Sequence, residues 1–184
     1  NVRLISGTEF GSAAALGAQV QSMSSTTQKP ELCAFVTEKR AGIIRDGEII
    51  GTVDLNFHGQ GVAISPKGDV LVVGEKDAKN PQARIYAVSA DGTKITATDK
   101  FCKELLAPPI CITFSHDGKY LAIGDNLREV SLWNGETFEP IVRNKWVFHA
   151  STVNAIAFSP DSKFIVSGSN DSMVYVWNVE APMK

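Results

Sequence analysis

Short apolar runs alternate with polar, turn-forming residues along most of this chain. In the most regular stretch, apolar residues dominate 153–158 and 164–168, and alternate positions are apolar across 173–179. Ser, Asn, Asp and Pro dominate the two short intervals between these runs. Runs of this kind bounded by turn residues are typical of β-strands in consecutive hairpins. We therefore predict an all-β chain, with a helical turn competing only at residues 11–18.

The same order of strands and turns recurs in three stretches, at residues 59–88, 107–134 and 149–179. The aromatic residues Tyr86, Trp133 and Trp177 occupy equivalent positions in the final strands, at intervals of 47 and 44 residues. A period of roughly 40–45 residues is the length of one four-stranded blade of a β-propeller. The repeat therefore predicts a propeller in which each unit forms one blade.

A fourth, degenerate unit lies upstream, with strand-like runs at 20–24, 32–37, 41–45 and 48–55. Outer strands are predicted at 94–101 and 140–148, and residues 2–5 have the pattern of an inner strand. Propellers close with about four to eight blades. We expect a segment of a larger ring rather than a closed four-bladed ring, because the last unit lacks an outer strand. The predicted division is 1–19 for the end of a preceding blade, then blades at 20–58, 59–101, 107–148 and 149–184.

Composition narrows the class of protein. The 184 residues are 43% hydrophobic and carry 18 basic against 20 acidic side chains, which predicts a globular chain without general attraction for nucleic acid or anionic lipid. No apolar run approaches the ~20 residues that span a bilayer, and the N-terminus lacks a signal-peptide pattern. Cys33, Cys102 and Cys111 form no CxxC pair. We therefore expect reduced thiols in a cytoplasmic protein with no metal and no cofactor.

Three residues of the last unit, His149, Ser167 and Asp171, have the composition of a hydrolytic triad. A nucleophile and its base need hydrogen-bond geometry at an open, concave site. The unit also matches the WD repeat, in which these three positions and Trp177 form a buried network that ties a turn to the preceding loop. We favour the network, and predict that His149, Ser167, Asp171 and Trp177 are a structural WD tetrad with no catalytic residue among them.

The middle unit lacks this tetrad. The positions 44 residues earlier than its first three members are Leu105, Ile123 and Leu127, all apolar. This substitution predicts a blade held together by packing alone. It also means that a catalytic role for the set would be repeated in no other unit.

Charged residues occupy the second turn of two units, at Lys76, Lys79, Arg128 and Glu129. Binding residues are common on loops that a rigid sheet scaffold presents to solvent. We take these four as partner-facing residues. Ordinary solvated turns are the alternative interpretation.

The sequence resembles one family of WD-repeat proteins. Residues 171–179 (DSMVYVWNV) and 114–125 (FSHDGKYLAIGD) look like the corresponding blades of the WD-repeat actin-interacting proteins, the cofactors of cofilin. The resemblance covers most of the chain and falls on the second of two seven-bladed propellers. It implies a non-catalytic, cytoskeleton-associated scaffold that binds cofilin-decorated actin filaments and promotes their disassembly.

The resemblance is to part of such a protein, because the first propeller and the final blade have no counterpart in this sequence. Functions that need both propellers are therefore not expected of this segment alone. Open strand edges invite pairing with another chain, so we expect isolated copies to self-associate through them. The alternative function is a generic cytosolic WD scaffold of another complex.

Overall fold

The computed structural model describes residues 18–29, 31–76, 79–103, 105–142 and 146–180. The regular elements in these ranges are all β-strands. They are β1 (Val20–Ser25), β2 (Leu32–Thr37), β3 (Arg40–Arg45), β4 (Glu48–Asp54), β5 (Gly59–Ile64), β6 (Val70–Glu75), β7 (Ala83–Val88), β8 (Ile95–Cys102), β9 (Pro109–Phe114), β10 (Tyr120–Asp125), β11 (Val130–Asn134), β12 (Pro140–Val142), β13 (Val153–Phe158), β14 (Phe164–Ser169) and β15 (Val174–Asn178). The strand predicted at 2–5 lies outside the described residues, as does nearly all of the helical turn predicted at 11–18.

The strands form four antiparallel sheets, each built from consecutive strands. The sheets β1–β4, β5–β8 and β9–β12 are four-stranded, and β13–β15 is three-stranded. Strand β5 packs against both β1 and β9, and β9 packs against β13. The first strands of the four sheets therefore lie side by side at the centre. This is the arrangement of a four-blade propeller segment, and the all-β prediction is confirmed.

A serine closes the first hairpin turn of three blades in the same way. Oγ of Ser115 accepts a hydrogen bond from the amide of Tyr120 at 2.9 Å and donates to Asp117 at 2.7 Å. Ser65 and Ser159 accept from the amides five residues further on, both at 3.0 Å. Such side-chain bonds to the backbone favour turns over continued strand. In these three blades, the repeated serine therefore ends the inner strand and starts the second strand at an equivalent position.

Apolar side chains form three cores, one between each pair of neighbouring sheets. In the second core, Val72 and Ile85 of β5–β8 are buried together with Leu121 and Ile123 of β9–β12. Burial of a side chain of this size contributes about 1.5–3 kcal/mol. The stability of the segment therefore resides mainly in contacts between successive sheets.

Two glycines lie at equivalent places where one sheet closely approaches the next. A Cβ at Gly74 would lie 2.5 Å from Cγ of Pro109 in β9, and one at Gly124 would lie 2.7 Å from Cγ1 of Val153 in β13. Real carbon atoms do not approach this closely without a shift of backbone or side chain. Glycine at these positions lets the inner strand of one sheet lie against the second strand of the sheet before it.

The outer strand of the third sheet is shorter than the sequence predicts. Strand β12 covers Pro140–Val142, whereas the prediction runs over 140–148. Residues 146–149 carry no strand. The carbonyl of Trp146 accepts a hydrogen bond from the amide of Val130 at 3.1 Å, and its buried side chain stacks on Trp177 at a centroid distance of 5.1 Å. Packing of this indole into the third core takes the segment away from the sheet edge.

Candidate functional site

The four residues predicted as a WD tetrad lie in one hydrogen-bonded chain in the sheet β13–β15. His149 Nε2 lies 2.8 Å from Oγ of Ser167, and His149 Nδ1 lies 3.0 Å from Oδ2 of Asp171. The indole N–H of Trp177 donates to the same Ser167 oxygen at 2.8 Å. With the imidazole proton on Nδ1, Ser167 donates to Nε2 and Asp171 accepts from Nδ1. Every polar side-chain group of these four residues then has a hydrogen-bond partner, and both His149 and Ser167 are buried.

Asp171 ties the β14–β15 turn to the segment that precedes β13. Its Oδ2 accepts from the amide of Ala150 at 2.7 Å, and its Oδ1 accepts from the amide of Met173 at 2.9 Å. Burial opposes ionisation of this carboxyl group, but the two amides and His149 outweigh it and lower the pKa of Asp171 to about 2. The carboxylate is therefore ionised at neutral pH and fixes one loop to the other.

The sequence predicts that packing alone holds the middle blade together. The structure shows a hydrogen bond between side chains as well. Leu105 and Ile123 are buried as expected, but Leu127 is 54% exposed. The indole N–H of Trp133 donates to Oγ of Ser131 at 2.9 Å. This bond takes the place of the Trp177–Ser167 bond of the last blade, although the serine lies on a different strand.

A buried carboxylate organises the β10–β11 turn of the same blade. Oδ1 of Asp125 accepts from the amides of Leu127 and Glu129, both at 2.9 Å. Burial raises the pKa of Asp125, and the two amides oppose this only in part. The side chain of Glu129 is only 2% exposed. Its prediction as a partner-facing residue is therefore wrong, because the turn directs this carboxylate inward.

The other three predicted partner-facing residues are exposed. Lys76 and Lys79 lie in the β6–β7 loop, and Arg128 lies in the β10–β11 turn with a positive φ of 77°. These turns pack beside the segments that precede the inner strands, as the bond from the Lys76 amide to the carbonyl of His58 at 2.8 Å shows. We call this end of the sheets the upper loop face: the turns between second and third strands and the segments before β5, β9 and β13.

The upper loop face also carries exposed apolar side chains that the sequence does not predict. Leu106 and Leu127 lie at the positions that correspond to Ala150 and Asp171 of the last blade, and Phe148 packs edge-on against Trp177 with its ring half exposed. Apolar residues in these runs look like core residues until the turns are placed. Aromatic residues and arginine, such as Phe148 and Arg128 on this face, are enriched at protein-binding surfaces.

A second polar cluster that the sequence does not predict lies in the second blade. Nε of Arg84 donates to Oε1 of Glu75, which also accepts from Gln82 at 3.2 Å. The guanidinium group lies 4.8 Å from the ring centroid of Phe57. Opposite charges near the facing ends of two paired strands are the only signal in the sequence. Glu75 corresponds to Asp125, so this ion pair closes the upper end of its blade.

The opposite end of the sheets holds a cleft of about 330 Å³ between the second and third blades. The buried residues Ile85, Phe114 and Phe138 line it together with charged residues such as Lys67 and Glu136. No group of His, Cys, Asp and Glu among the described residues could hold a metal ion. In the same part of the chain, no helix is long and apolar enough to cross a membrane.

Comparison with known proteins identifies one repeat and several relatives. The family model of the WD domain, G-beta repeat, matches residues 142–178. Actin-interacting protein 1-2 of Arabidopsis thaliana is 27% identical over 142 residues, which is 77% of this chain and 22% of that protein. An uncharacterized WD repeat-containing protein of Schizosaccharomyces pombe is 34% identical over 150 residues, or 82% of this chain and 24% of that protein.

A third relative, Actin-interacting protein 1 of Drosophila melanogaster, is 27% identical over 126 residues, which is 68% of this chain and 20% of that protein. The chain thus spans less than a quarter of the length of these three relatives. The similarity predicted from the sequence motifs is confirmed by these matches. It applies to a segment, so the activities of a whole relative do not transfer with it.

Proposed function

We infer that this chain, a WD-repeat propeller segment similar to the actin-interacting proteins, is part of a non-catalytic scaffold that binds cofilin-decorated actin filaments and promotes their disassembly. The observation that carries the proposal is the match of most of the chain to two proteins named as actin-interacting. The same proposal places the protein in the cytoplasm, in association with the cytoskeleton. The fold agrees with it, because propellers of this kind present loops on a rigid scaffold.

The geometry of the last blade supports a scaffold rather than a hydrolase. Ser167 has no exposed surface, and its oxygen already accepts the indole N–H of Trp177. His149 is buried below the loops, so a substrate carbonyl has no approach to the serine. A nucleophile needs an open position about 3 Å from the reacting atom. We therefore propose that the tetrad holds the blade together and makes no covalent intermediate.

The upper loop face is the surface that we propose for partner binding. Lys76, Lys79 and Arg128 are exposed cations, and Leu127 and Phe148 add exposed apolar area. Such a surface fits an acidic protein partner with apolar anchor points.

The blades proposed at 20–58, 59–101, 107–148 and 149–184 would occupy part of a seven-bladed ring, with residues 1–19 ending the blade before them.

Co-sedimentation with actin filaments tests this function. The full-length protein in which this segment occurs is expected to pellet with cofilin-coated filaments and far less with bare filaments. The segment alone is expected to bind more weakly, since linked modules bind more tightly than either one. If the full-length protein ignores coated filaments at low salt, a generic WD scaffold of another complex replaces the actin proposal. Labelling of Ser167 by a fluorophosphonate probe would contradict the non-catalytic assignment.

Self-association is the remaining part of the proposal. Strand β15 has no outer neighbour among the described residues, unlike the third strands β3, β7 and β11. An unpaired edge offers backbone groups to another chain. We therefore propose that isolated copies pair edge to edge through β15. Light scattering over a concentration series measures this association, and a monomer of about 20 kDa at all concentrations would exclude it.

A further inference from the structure

The β10–β11 turn of the third sheet and the β14–β15 turn of the fourth correspond position for position, but different side chains hold them. Residues 125–129 of the first turn align with residues 169–173 of the second. Arg128 and Ser172 occupy the same place, and both have a positive φ, of 77° and 66°. The two turns therefore allow a direct comparison of what each position does.

Two side chains hold the turn of the fourth sheet. Oγ of Ser169 accepts a hydrogen bond from the amide of Asp171 at 3.3 Å, and Oδ1 of Asp171 accepts from the amide of Met173 at 2.9 Å. The other carboxylate oxygen of Asp171 contacts His149 and the amide of Ala150. The side chain of Asp171 is only 7% exposed. This position is thus fully engaged in the fold and has little surface to offer a partner.

A single carboxylate oxygen makes both turn bonds in the third sheet. Oδ1 of Asp125, which stands where the fourth sheet has Ser169, accepts from the amides of Leu127 and Glu129, both at 2.9 Å. These two amides correspond to the two that are bound in the fourth sheet. Because the acceptor lies at the end of β10, the turn needs no polar side chain at position 127. Leu127 therefore has no structural role in the turn, and it is 54% exposed.

A second leucine lies at the position next to this one. In the fourth sheet the amide of Ala150 donates to Oδ2 of Asp171 at 2.7 Å, so these two positions are neighbours. The third sheet carries Leu106 and Leu127 at the same two positions, and they are 47% and 54% exposed. Apolar side chains that remain in water add little to the stability of a fold and gain free energy when a partner covers them.

Arg128 stands beside these leucines in the same turn. A positive φ is unfavourable for a residue with a Cβ and is easily adopted by glycine. The arginine side chain is exposed, and its guanidinium group has no hydrogen-bond or ion-pair partner in the described part of the chain. Backbone strain of this kind is concentrated at binding sites. A long, exposed cation on a strained backbone therefore indicates a residue that binds a partner.

We propose that Leu106, Leu127 and Arg128, which we call the anchor cluster, are the contact residues of the upper loop face, and that Asp125 positions the last two. The partner presents an apolar pocket for the leucines beside a carboxylate for the arginine, since arginine binds carboxylates through two parallel hydrogen bonds. Arginine is also enriched among the residues that carry most of the binding energy of an interface. The inference rests on the proposed function and adds the residues that make the contact.

Filament binding by variants of the full-length protein tests the anchor cluster. Arg128→Gly removes the side chain and relieves the backbone, so we expect an unfolding midpoint that is unchanged or higher. We expect the same variant to bind cofilin-coated filaments about fivefold more weakly or worse. Leu106→Ala combined with Leu127→Ala is expected to weaken binding to a similar extent without a loss of stability.

Ser172→Gly is the matched control, because it makes the same backbone change in the fourth sheet. We expect it to leave filament binding unchanged. If it weakens binding as much as Arg128→Gly does, the effect belongs to the glycine and not to the lost arginine, and the proposal is overturned. Binding as tight as that of the natural protein in Arg128→Gly and in the double leucine variant overturns it as well.

A double-mutant cycle tests the role of Asp125. Asp125→Ala removes the acceptor of both turn amides and is expected to weaken filament binding, with faster hydrogen exchange in the turn. Asp125→Asn keeps an oxygen that accepts from both amides and is expected to restore most of the binding. When Leu127→Ala and Arg128→Gly are already present, Asp125→Ala is expected to cost no further binding. An equal loss in both backgrounds would mean that Asp125 acts on the fold alone.

Binding by the natural full-length protein separates this inference from the proposed function. If that protein does not bind coated filaments, the proposed function and the anchor cluster both fail. If it binds them and the variants of the anchor cluster bind equally tightly, the anchor cluster alone fails.

Discussion

The carboxylate of Asp171 accepts hydrogen bonds from His149 and from the amides of Ala150 and Met173. Replacing Asp171 with alanine removes the acceptor of all three hydrogen bonds. Donors that lose their acceptor and are poorly hydrated destabilise the folded state. We expect D171A to lower the midpoint of urea unfolding clearly more than Leu127→Ala, the change at the equivalent, exposed position of the middle blade. Tryptophan fluorescence follows both transitions. A D171A midpoint equal to that of the natural chain would contradict the tetrad.

The lowered pKa of Asp171 predicts a specific acid sensitivity. The pKa is about 2 in the folded chain, against an ordinary value of 3.8. Because the folded state favours the ionised form, this group stabilises the fold fully above pH 3.8 and loses that contribution as the pH falls toward 2. We expect the difference in unfolding midpoint between the natural chain and Asp171→Asn to shrink over this pH range. A constant difference between pH 4 and pH 2 would contradict this assignment.

The sequence brings His149, Ser167, Asp171 and Trp177 together because the repeat fixes where each of them lies relative to the strands. It placed Glu129 wrongly because exposure within a turn depends on backbone conformation. Arg128 has a positive φ, and the amide of Glu129 is bound to buried Asp125, so the chain turns the glutamate inward. Nothing in the order of charged residues distinguishes the two. The sequence pattern does not predict the exposure of Leu127 for the same reason.

At the scale of strands, side chains at equivalent positions contribute unequally to the free energy of unfolding. Leu132 in β11 is fully buried between sheets, whereas Val176 in β15 is 65% exposed at the corresponding position. Truncation of a buried leucine to alanine costs about 2–5 kcal/mol. We therefore expect Leu132→Ala to destabilise the segment strongly and Val176→Ala to leave its denaturant midpoint almost unchanged. Equal losses in the two variants would mean that Val176 is covered in solution.

The strands themselves were the most predictable part of the fold. The apolar runs at 32–37 and 153–158 coincide with β2 and β13, since turn residues bound them on both sides. The predicted outer strand at 140–148 is too long, because its apolar positions include Trp146, which packs into the core. Outer strands have a weaker pattern because they have fewer buried neighbours. The ion pair of Glu75 with Arg84 needs strand pairing to be known, so sequence spacing alone does not reveal it.

At the scale of the whole molecule, the two ends of the sheets differ in what they offer a partner. The upper loop face presents cations together with Leu106, Leu127 and Phe148, which are about half exposed. In the second, third and fourth sheets, the first hairpin turns are short and closed by a serine, and each carries a lysine two residues from Asp69, Asp117 or Asp161. A partner with an acidic surface and apolar anchors therefore fits the upper face better than the lower one.

Charge reversal distinguishes the two ends in the proposed filament binding. The triple variant Lys76→Glu, Lys79→Glu and Arg128→Glu, made in the full-length protein, is expected to weaken binding to cofilin-coated filaments by about tenfold or more at low salt, because clustered charges steer association. The matched variant reverses three exposed lysines of the lower turns: Lys67, Lys119 and Lys163. Both variants change the net charge equally, so a general effect of charge would weaken filament binding equally in both. Co-sedimentation over a salt series measures the difference, and equal losses would place the binding surface away from the upper loop face.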